Sequence, residues 1–186
     1  KIGQDEADKA FKGVDEVINR IEEVNFKRSF TLPDATEEIS EMWQFLDNTL
    51  ENDIALFQNK LTVNKIVMTD DLIRNRLNEK KELILKYSFS AYFAILWDIL
   101  KEGYKNGVLN VARGSASGSY ILYLLGVTQL NPIEHELMFE RFLAELRLST
   151  GELPDVDVDI SANKRHIIQE YAHKHWNFYP VGTINT

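Results

Sequence analysis

The sequence contains no cysteine, which excludes disulfides and thiolate metal sites and leaves carboxylates and histidines as the protein ligands for any metal. A metal held here is therefore expected to be a hard, oxygen-seeking cation. No run of about 18 apolar residues is present and no charged-then-apolar leader opens the chain, so neither a membrane span nor a secretory signal is supported. The expectation is a soluble, cytoplasmic protein with no membrane partner. Basic residues are outnumbered: 21 Lys and Arg against 29 Asp and Glu give a net charge of −8. Phosphate binding draws on clustered Lys and Arg, so this balance argues against a chain whose whole surface grips nucleic acid. Repeats and low-complexity tracts are also absent. What is present is 186 residues, 44% of them hydrophobic, enough for one sizeable globular core. Lys1 stands where an initiator Met would, and Thr186 follows closely on a Pro-containing turn, so both ends read as cuts in a longer protein.

Hydrophobic spacing divides the chain into a helical first half and a mixed second half. Ala7, Ala10, Phe11, Val14, Val17, Ile18 and Ile21 recur at helical intervals, predicting an amphipathic helix from Asp5 to Glu23. Asp34 or Thr36 is placed to cap a second helix carrying Ile39, Met42, Trp43, Phe45 and Leu46. Asp70 and Asp71 open a third, and Tyr87 to Tyr104 reads as a strongly apolar fourth that Gly103 and Gly107 end. Beyond Gly107 the pattern becomes strand (Val108, Leu109, Val111), small-residue turn, then helix from Tyr120 to Leu125. Pro132 is expected to start a further helix reaching Leu146, Leu153 to Ile160 a strand, and Ser161 to cap a last helix from Asn163 to Trp176. The fold class is α+β, with residues 1–107 a helical segment and 108–186 the part bearing the chemistry.

Two segments carry that chemistry. In Leu153-Pro-Asp-Val-Asp-Val-Asp-Ile160, two-residue alternation puts Asp155, Asp157 and Asp159 on one face of a strand and the apolar residues on the other. Successive acids are then roughly 6.5–7 Å apart at their Cα atoms, close enough to repel unless a cation relieves them. A pair of Mg²⁺ ions about 4 Å apart is the device that phosphoryl transfer uses for this. The competing reading is an edge strand whose charged outer face discourages aggregation. A calcium loop is disfavoured, because Ile160 and His166 stand where its Gly and Glu belong. In the second segment, Arg113-Gly-Ser-Ala-Ser-Gly-Ser119, small residues where a strand enters a helix let backbone amides approach an anion, with Arg113 supplying full charge. Tight helix–strand packing explains such a turn equally well, and no Gly-Lys-Ser/Thr follows to make it a Walker loop. Arg141 is a candidate second phosphate contact, or a salt-bridge residue. His166, His173 and His175 match no zinc spacing, and Phe89, Tyr92, Phe93 and Trp97 read as core.

In order along the chain, Ala112-Arg-Gly-Ser-Ala-Ser-Gly-Ser119, Leu130-Asn-Pro132, Met138-Phe-Glu-Arg-Phe-Leu143 and Pro154-Asp-Val-Asp-Val-Asp-Ile160 resemble the motifs of the C-family replicative DNA polymerases, the family of the bacterial and phage DNA polymerase III alpha subunit. Phe89 to Asp98 resembles the helix before the loop in that family. The departures, among them Ala112 for Gly, Asn131 for Asp and Ile160 for Phe, suggest a divergent member, bacterial or phage-borne.

The resemblance implies a nucleotidyltransferase palm like that of DNA polymerase beta, incomplete here and preceded by helices, that adds deoxynucleotides to a primer 3′ end with two Mg²⁺ ions. It implies Asp155 and Asp157 as catalytic metal ligands, Asp159 as a supporting residue, and Arg113, Gly114, Ser115 and Arg141 as contacts to the incoming deoxynucleoside triphosphate. Its partners would be primer–template DNA and the rest of the polymerase: the third catalytic Asp, the fingers and the clamp-binding parts. The setting would be the bacterial nucleoid and replisome. On this view the chain alone is inactive. Two rivals are a non-catalytic palm remnant that binds or regulates a replisome partner, and a template-independent nucleotidyltransferase on the same scaffold.

Overall fold

The computed structural model describes residues 3–18, 20, 31–57, 62–63, 66–67, 69–135, 137, 142 and 154–179. Two units are present, Lys1–Thr31 and Leu32–Thr186. The first contains α1 (Gln4–Ile18), whose first turn carries Asp5 and Glu6, as suits the positive end of a helix.

The second unit is α+β. Its first helix, α2 (Thr36–Phe57), begins where Asp34 Oδ1 accepts from the Thr36 amide at 3.1 Å and its hydroxyl at 2.6 Å, so both residues named from sequence share the start. The short antiparallel pair β1 (Thr62–Val63) and β2 (Ile66–Val67) follows. Helix α3 (Asp70–Lys86) opens with Thr69 accepting from the Leu72 amide. Helix α4 (Ser90–Lys105) is the centre of the unit: Phe93, Ala94, Ile95, Trp97, Leu100 and Gly103 are buried along it. It packs against α2 on one side and the last helix on the other. Burying each large apolar side chain there contributes roughly 1.5–3 kcal/mol. Gly103 lies inside this helix rather than ending it; an added Cβ would stand 3.0 Å from Ile168 Cδ1, so the glycine sets the close approach of the two helices. The turn after α4 falls at Gly107, whose φ of +65° is open to glycine at little cost.

Strand β3 (Asn110–Arg113) leads through a 3₁₀ turn, Gly114–Gly118, into α5 (Tyr120–Leu124). Strand β4 (Asp157–Ile160) pairs antiparallel with β3, in the register Asn110 with Ile160, Val111 with Asp159, Ala112 with Val158 and Arg113 with Asp157. The last helix among the described residues is α6 (Arg165–Trp176), after a 3₁₀ turn at Ala162–Lys164. Ser161 does not cap it: Lys164 precedes the helix with no side-chain cap bond, and the Ser161 hydroxyl is buried without a partner among the described residues. After Pro132 a turn forms instead of the start of a long helix. Asn131 Oδ1 accepts from the Ile133 amide at 3.0 Å, and the expected continuation at 138–141 and 143–146 lies outside the described residues. No single helix among the described residues is long and apolar enough to cross a membrane.

Candidate functional site

Alternation from Asp155 to Ile160 survives in three dimensions: Asp155, Asp157 and Asp159 are exposed, while Val156, Val158 and Ile160 are half-buried and pack against the core. The regular strand is shorter than the sequence pattern, since 154–156 lie outside the ladder. The apolar side of β4 is what fixes the acids outward, because a one-residue slip in register would exchange the two faces.

Cross-strand pairing brings the second motif to the first. Arg113 is directly opposite Asp157, with its guanidinium 3.9 Å from Asp157 Oδ2 and 3.2 Å from Asp159 Oδ1. All three side chains remain largely in solvent, at 62%, 54% and 71% exposure for Arg113, Asp157 and Asp159. The ion pairs are therefore weak and exchangeable, worth about 0–1 kcal/mol each. The chain leaves β3 at Gly114 with φ +71°, a left-handed conformation that an L side chain adopts only with strain. A Cβ built on Gly114 would stand 4.0 Å from Asp157 Oδ2, so the start of the small-residue turn and the acid face are in contact range.

Within the turn the small residues divide their tasks. Ala116, Gly118 and Ser119 are buried and Ser115 is exposed. Ser119 Oγ accepts from the Leu122 amide at 3.3 Å, so this hydroxyl caps α5. With only five residues, α5 has little macrodipole to offer, since the effect grows from aligned peptides. The help expected from a helix terminus falls away, leaving turn amides, Ser115 and Arg113 as the means of meeting an anion. Arg141 lies outside the described residues.

Two residues support this region from behind, one that sequence reasoning passed over and one that it read only as core. Asp53 on α2 is only 6% exposed and accepts from the Tyr120 hydroxyl at 2.6 Å and the Tyr123 hydroxyl at 3.4 Å. Burial pushes the Asp53 carboxyl up, against the opposing pull of the two tyrosine hydrogen bonds, and burial likewise pushes the Tyr120 phenol far up, so it stays a donor. The cluster ties α5, and with it the turn, to α2. Tyr92, assigned to the core by its spacing, is half-buried and donates its hydroxyl to the Pro154 carbonyl at 2.5 Å. A matching pair holds the far side of α4, where Asp98 accepts from Tyr171 at 2.8 Å and Trp176 at 3.0 Å. Asp53 follows Leu46 by seven residues, so helical phase already put it on the buried stripe. The histidines are packing and surface groups: His175 stacks on Tyr171 and His173 tilts against Tyr179.

Among the described residues no three His, Asp or Glu side chains converge as a cation cage. The donor set suits a different arrangement, in which exposed carboxylate oxygens on one strand face share a hard cation with water and with ligand phosphates, as Mg²⁺ prefers.

An α+β unit in which a basic strand end, a small-residue turn and an outward row of carboxylates form one patch is suited to a phosphorylated ligand carrying a divalent cation. Residues 41–186 match a family model described as the bacterial DNA polymerase III alpha NTPase domain, and the chain belongs to that family, within the C-family polymerases. Among curated proteins it is 36% identical over 118 residues to a DNA polymerase III subunit alpha of Bacillus subtilis (strain 168), covering 63% of this chain and 10% of that one. It is 39% identical over 97 residues to an error-prone DNA polymerase of Caulobacter vibrioides, covering 52% and 9%. To a DNA polymerase III subunit alpha of Mycoplasma genitalium it is 40% identical over 91 residues, covering 48% and 10%. The matched stretch is thus about a tenth of the length of these relatives.

Proposed function

We propose that this chain forms part of the nucleotidyl-transfer site of a DNA-directed DNA polymerase, on a palm like that of DNA polymerase beta, and that it acts in template-directed addition of deoxynucleotides to a primer 3′ end. The observation that carries the reading is the pairing of Arg113 with Asp157, which sets the Gly114-Ser115 turn beside the acid face, in a chain of the polymerase III alpha family.

Asp155 and Asp157 would hold Mg²⁺ jointly with the triphosphate of the incoming nucleotide, and Asp159 supports them. The chemistry supplied by the bound ions is Lewis acidity toward the attacking hydroxyl and charge neutralisation at the leaving pyrophosphate. The chain's own residues do the rest. Gly114 leaves room for the backbone to approach phosphate oxygens, and the Ser115 hydroxyl donates to them. Arg113 offsets part of the charge of Asp157 and Asp159 while no ligand is bound. When a triphosphate enters, the guanidinium turns to its oxygens, a planar fork suited to phosphate. Asp159, paired more closely with Arg113 than Asp157 is, keeps that fork beside the turn. Arg141 adds a second phosphate contact.

Primer–template DNA and deoxynucleoside triphosphates are the substrates. With two carboxylates in the ligand role and an acidic net charge, the chain depends on further parts of the polymerase for a third acid, for fingers and for its hold on DNA and on the clamp, in the replisome of a bacterium or its phage. It extends no primer by itself. The test is primer extension by the polymerase carrying this chain, with Asp155→Asn and Asp157→Asn introduced singly. Each is expected to lower the rate by at least about 100-fold while DNA binding is retained. Near-normal extension by either variant would refute the assignment.

A further inference from the structure

Tyr92 sits at a core position of α4, yet its hydroxyl reaches out of the core to a backbone atom 62 residues away, the carbonyl of Pro154 at 2.5 Å. Pro154 is buried and immediately precedes Asp155, which is exposed. The ladder joining β4 to β3 begins only at Asp157, opposite Arg113. Asp155 therefore stands two residues ahead of the first ladder pair, and among the described residues the 154–156 backbone takes its hydrogen bond from Tyr92. Burial, and after it the charge of Asp155, push the Tyr92 phenol up to about 12. The hydroxyl is thus a donor throughout the neutral range.

We propose that Tyr92 is a positioning residue: by holding the Pro154 carbonyl, its hydroxyl sets where the Asp155 carboxylate stands relative to Asp157, and so sets the affinity of the acid face for a divalent cation. Rigid ladder pairing fixes Asp157 without help, whereas Asp155 has the tyrosine instead. A site of this kind tolerates displacements of only about 0.5 Å. A tyrosine serving the core alone would use its hydroxyl for stability and leave cation binding untouched. The inference rests on the reading of Asp155 and Asp157 as metal ligands.

The experiment is a Mn²⁺ titration of this chain followed by the electron paramagnetic resonance signal of the free ion, with amide hydrogen exchange measured on the same samples. Tyr92→Phe keeps the ring and removes the hydroxyl. Tyr171→Phe is the control, since it also deletes one tyrosine hydroxyl bond, to the Asp98 carboxylate, on the α4–α6 contact away from the acid face. Tyr92→Phe is expected to weaken Mn²⁺ binding by about three- to tenfold, the loss of one hydrogen bond, and to speed exchange at Asp155 and Val156. Tyr171→Phe should lower the melting temperature and leave Mn²⁺ binding unchanged. Asp157→Asn should lose Mn²⁺ binding by more than either. Tyr92→Phe binding Mn²⁺ as the parent does, exchanging no faster at 155–156, or weakened no more than Tyr171→Phe, overturns the role of Tyr92 while Asp157→Asn still upholds the site. Mn²⁺ uptake unaffected by Asp157→Asn overturns the metal-ligand reading itself, as does uptake absent from the parent both alone and with a non-hydrolysable deoxynucleoside triphosphate present.

Discussion

Replacing Tyr120 by Phe isolates the buried contact that anchors α5 behind the small-residue turn. The ring, fully buried, keeps its packing, and the change removes one hydroxyl that donates to Asp53 at 2.6 Å. A hydrogen bond to a charged group is worth about 1.5–3 kcal/mol. Among the described residues Asp53 then keeps the longer Tyr123 contact of 3.4 Å, so the loss should fall near the middle, about 2 kcal/mol. For a unit of this size each kcal/mol moves the melting temperature by roughly 2–4 °C, which places the expected drop at about 4–8 °C at pH 7. The effect has a pH signature. Burial raises the Asp53 carboxyl above its ordinary range in the folded state, so the folded state binds that proton more tightly than the unfolded one. Stability linked to this group is therefore full below the ordinary carboxylate range and declines as pH rises through the raised folded value. The Tyr120 bond pulls the carboxyl down, and its removal extends the decline to higher pH. Urea denaturation of the parent and Tyr120→Phe at pH 4 and pH 7 should show a larger difference at pH 7. In an Asp53→Asn background, which cannot ionise, Tyr120→Phe should cost less and at one value for both pH conditions. Equal losses at pH 4 and pH 7 in the Asp53 protein, or no loss at all, would refute the argument that a buried charge is being solvated by this hydroxyl.

Removing the charge of Arg113 should affect ligands more than stability. Its ion pairs are exposed, so Arg113→Ala is expected to change the unfolding free energy by less than about 1 kcal/mol. Without the competing cation, calorimetric titration should show Mn²⁺ binding tightened by about two- to tenfold at low salt, a difference that shrinks as salt screens it, while nucleoside triphosphate binding weakens. Gly114→Ala meets no steric barrier, with Asp157 Oδ2 at an ordinary 4.0 Å, but forces a side chain to φ +71°. It should cost about 1–2 kcal/mol in urea denaturation and also weaken triphosphate binding. Gly126→Ala, at φ +72° with open space around it, should match the stability loss and leave triphosphate binding unaltered.

The elements legible in the sequence were those that declare themselves locally. Acids alternating with Val156, Val158 and Ile160 announced a strand with a charged face, and the glycines and serines of 114–119 announced a turn after a strand. The antiparallel register joining Arg113 to Asp157 was not legible, because pairing between segments 44 residues apart in chain is decided by tertiary packing rather than by either segment's own pattern. Proximity of the two motifs is thus an expectation from family resemblance that the register of β3 and β4 meets in the fold.

Supporting residues were harder to read for a different reason. Asp53 and Asp98 are acids on apolar helix faces, where composition suggests solvent and helical phase suggests burial; phase prevails because tyrosine and tryptophan donors from distant elements satisfy the carboxylates. Tyr92 was legible as a packed ring and not as a donor, since a hydroxyl's partner depends on what arrives from elsewhere in the chain. Ser161 shows the reverse failure: the residue type favours a helix cap, but the intervening 3₁₀ turn moves the helix start to Arg165 and takes the hydroxyl out of reach.

Localised cleavage by Fe²⁺ in place of Mg²⁺ tests the central claim most directly. With ascorbate and peroxide, a bound Fe²⁺ ion cuts only the backbone close to it. Two clusters of cuts, at 113–116 and at 155–159, both suppressed by excess Mg²⁺ and by Asp157→Asn, are the predicted result. Cuts confined to other parts of the chain, or a pattern indifferent to Asp157→Asn, would contradict the account.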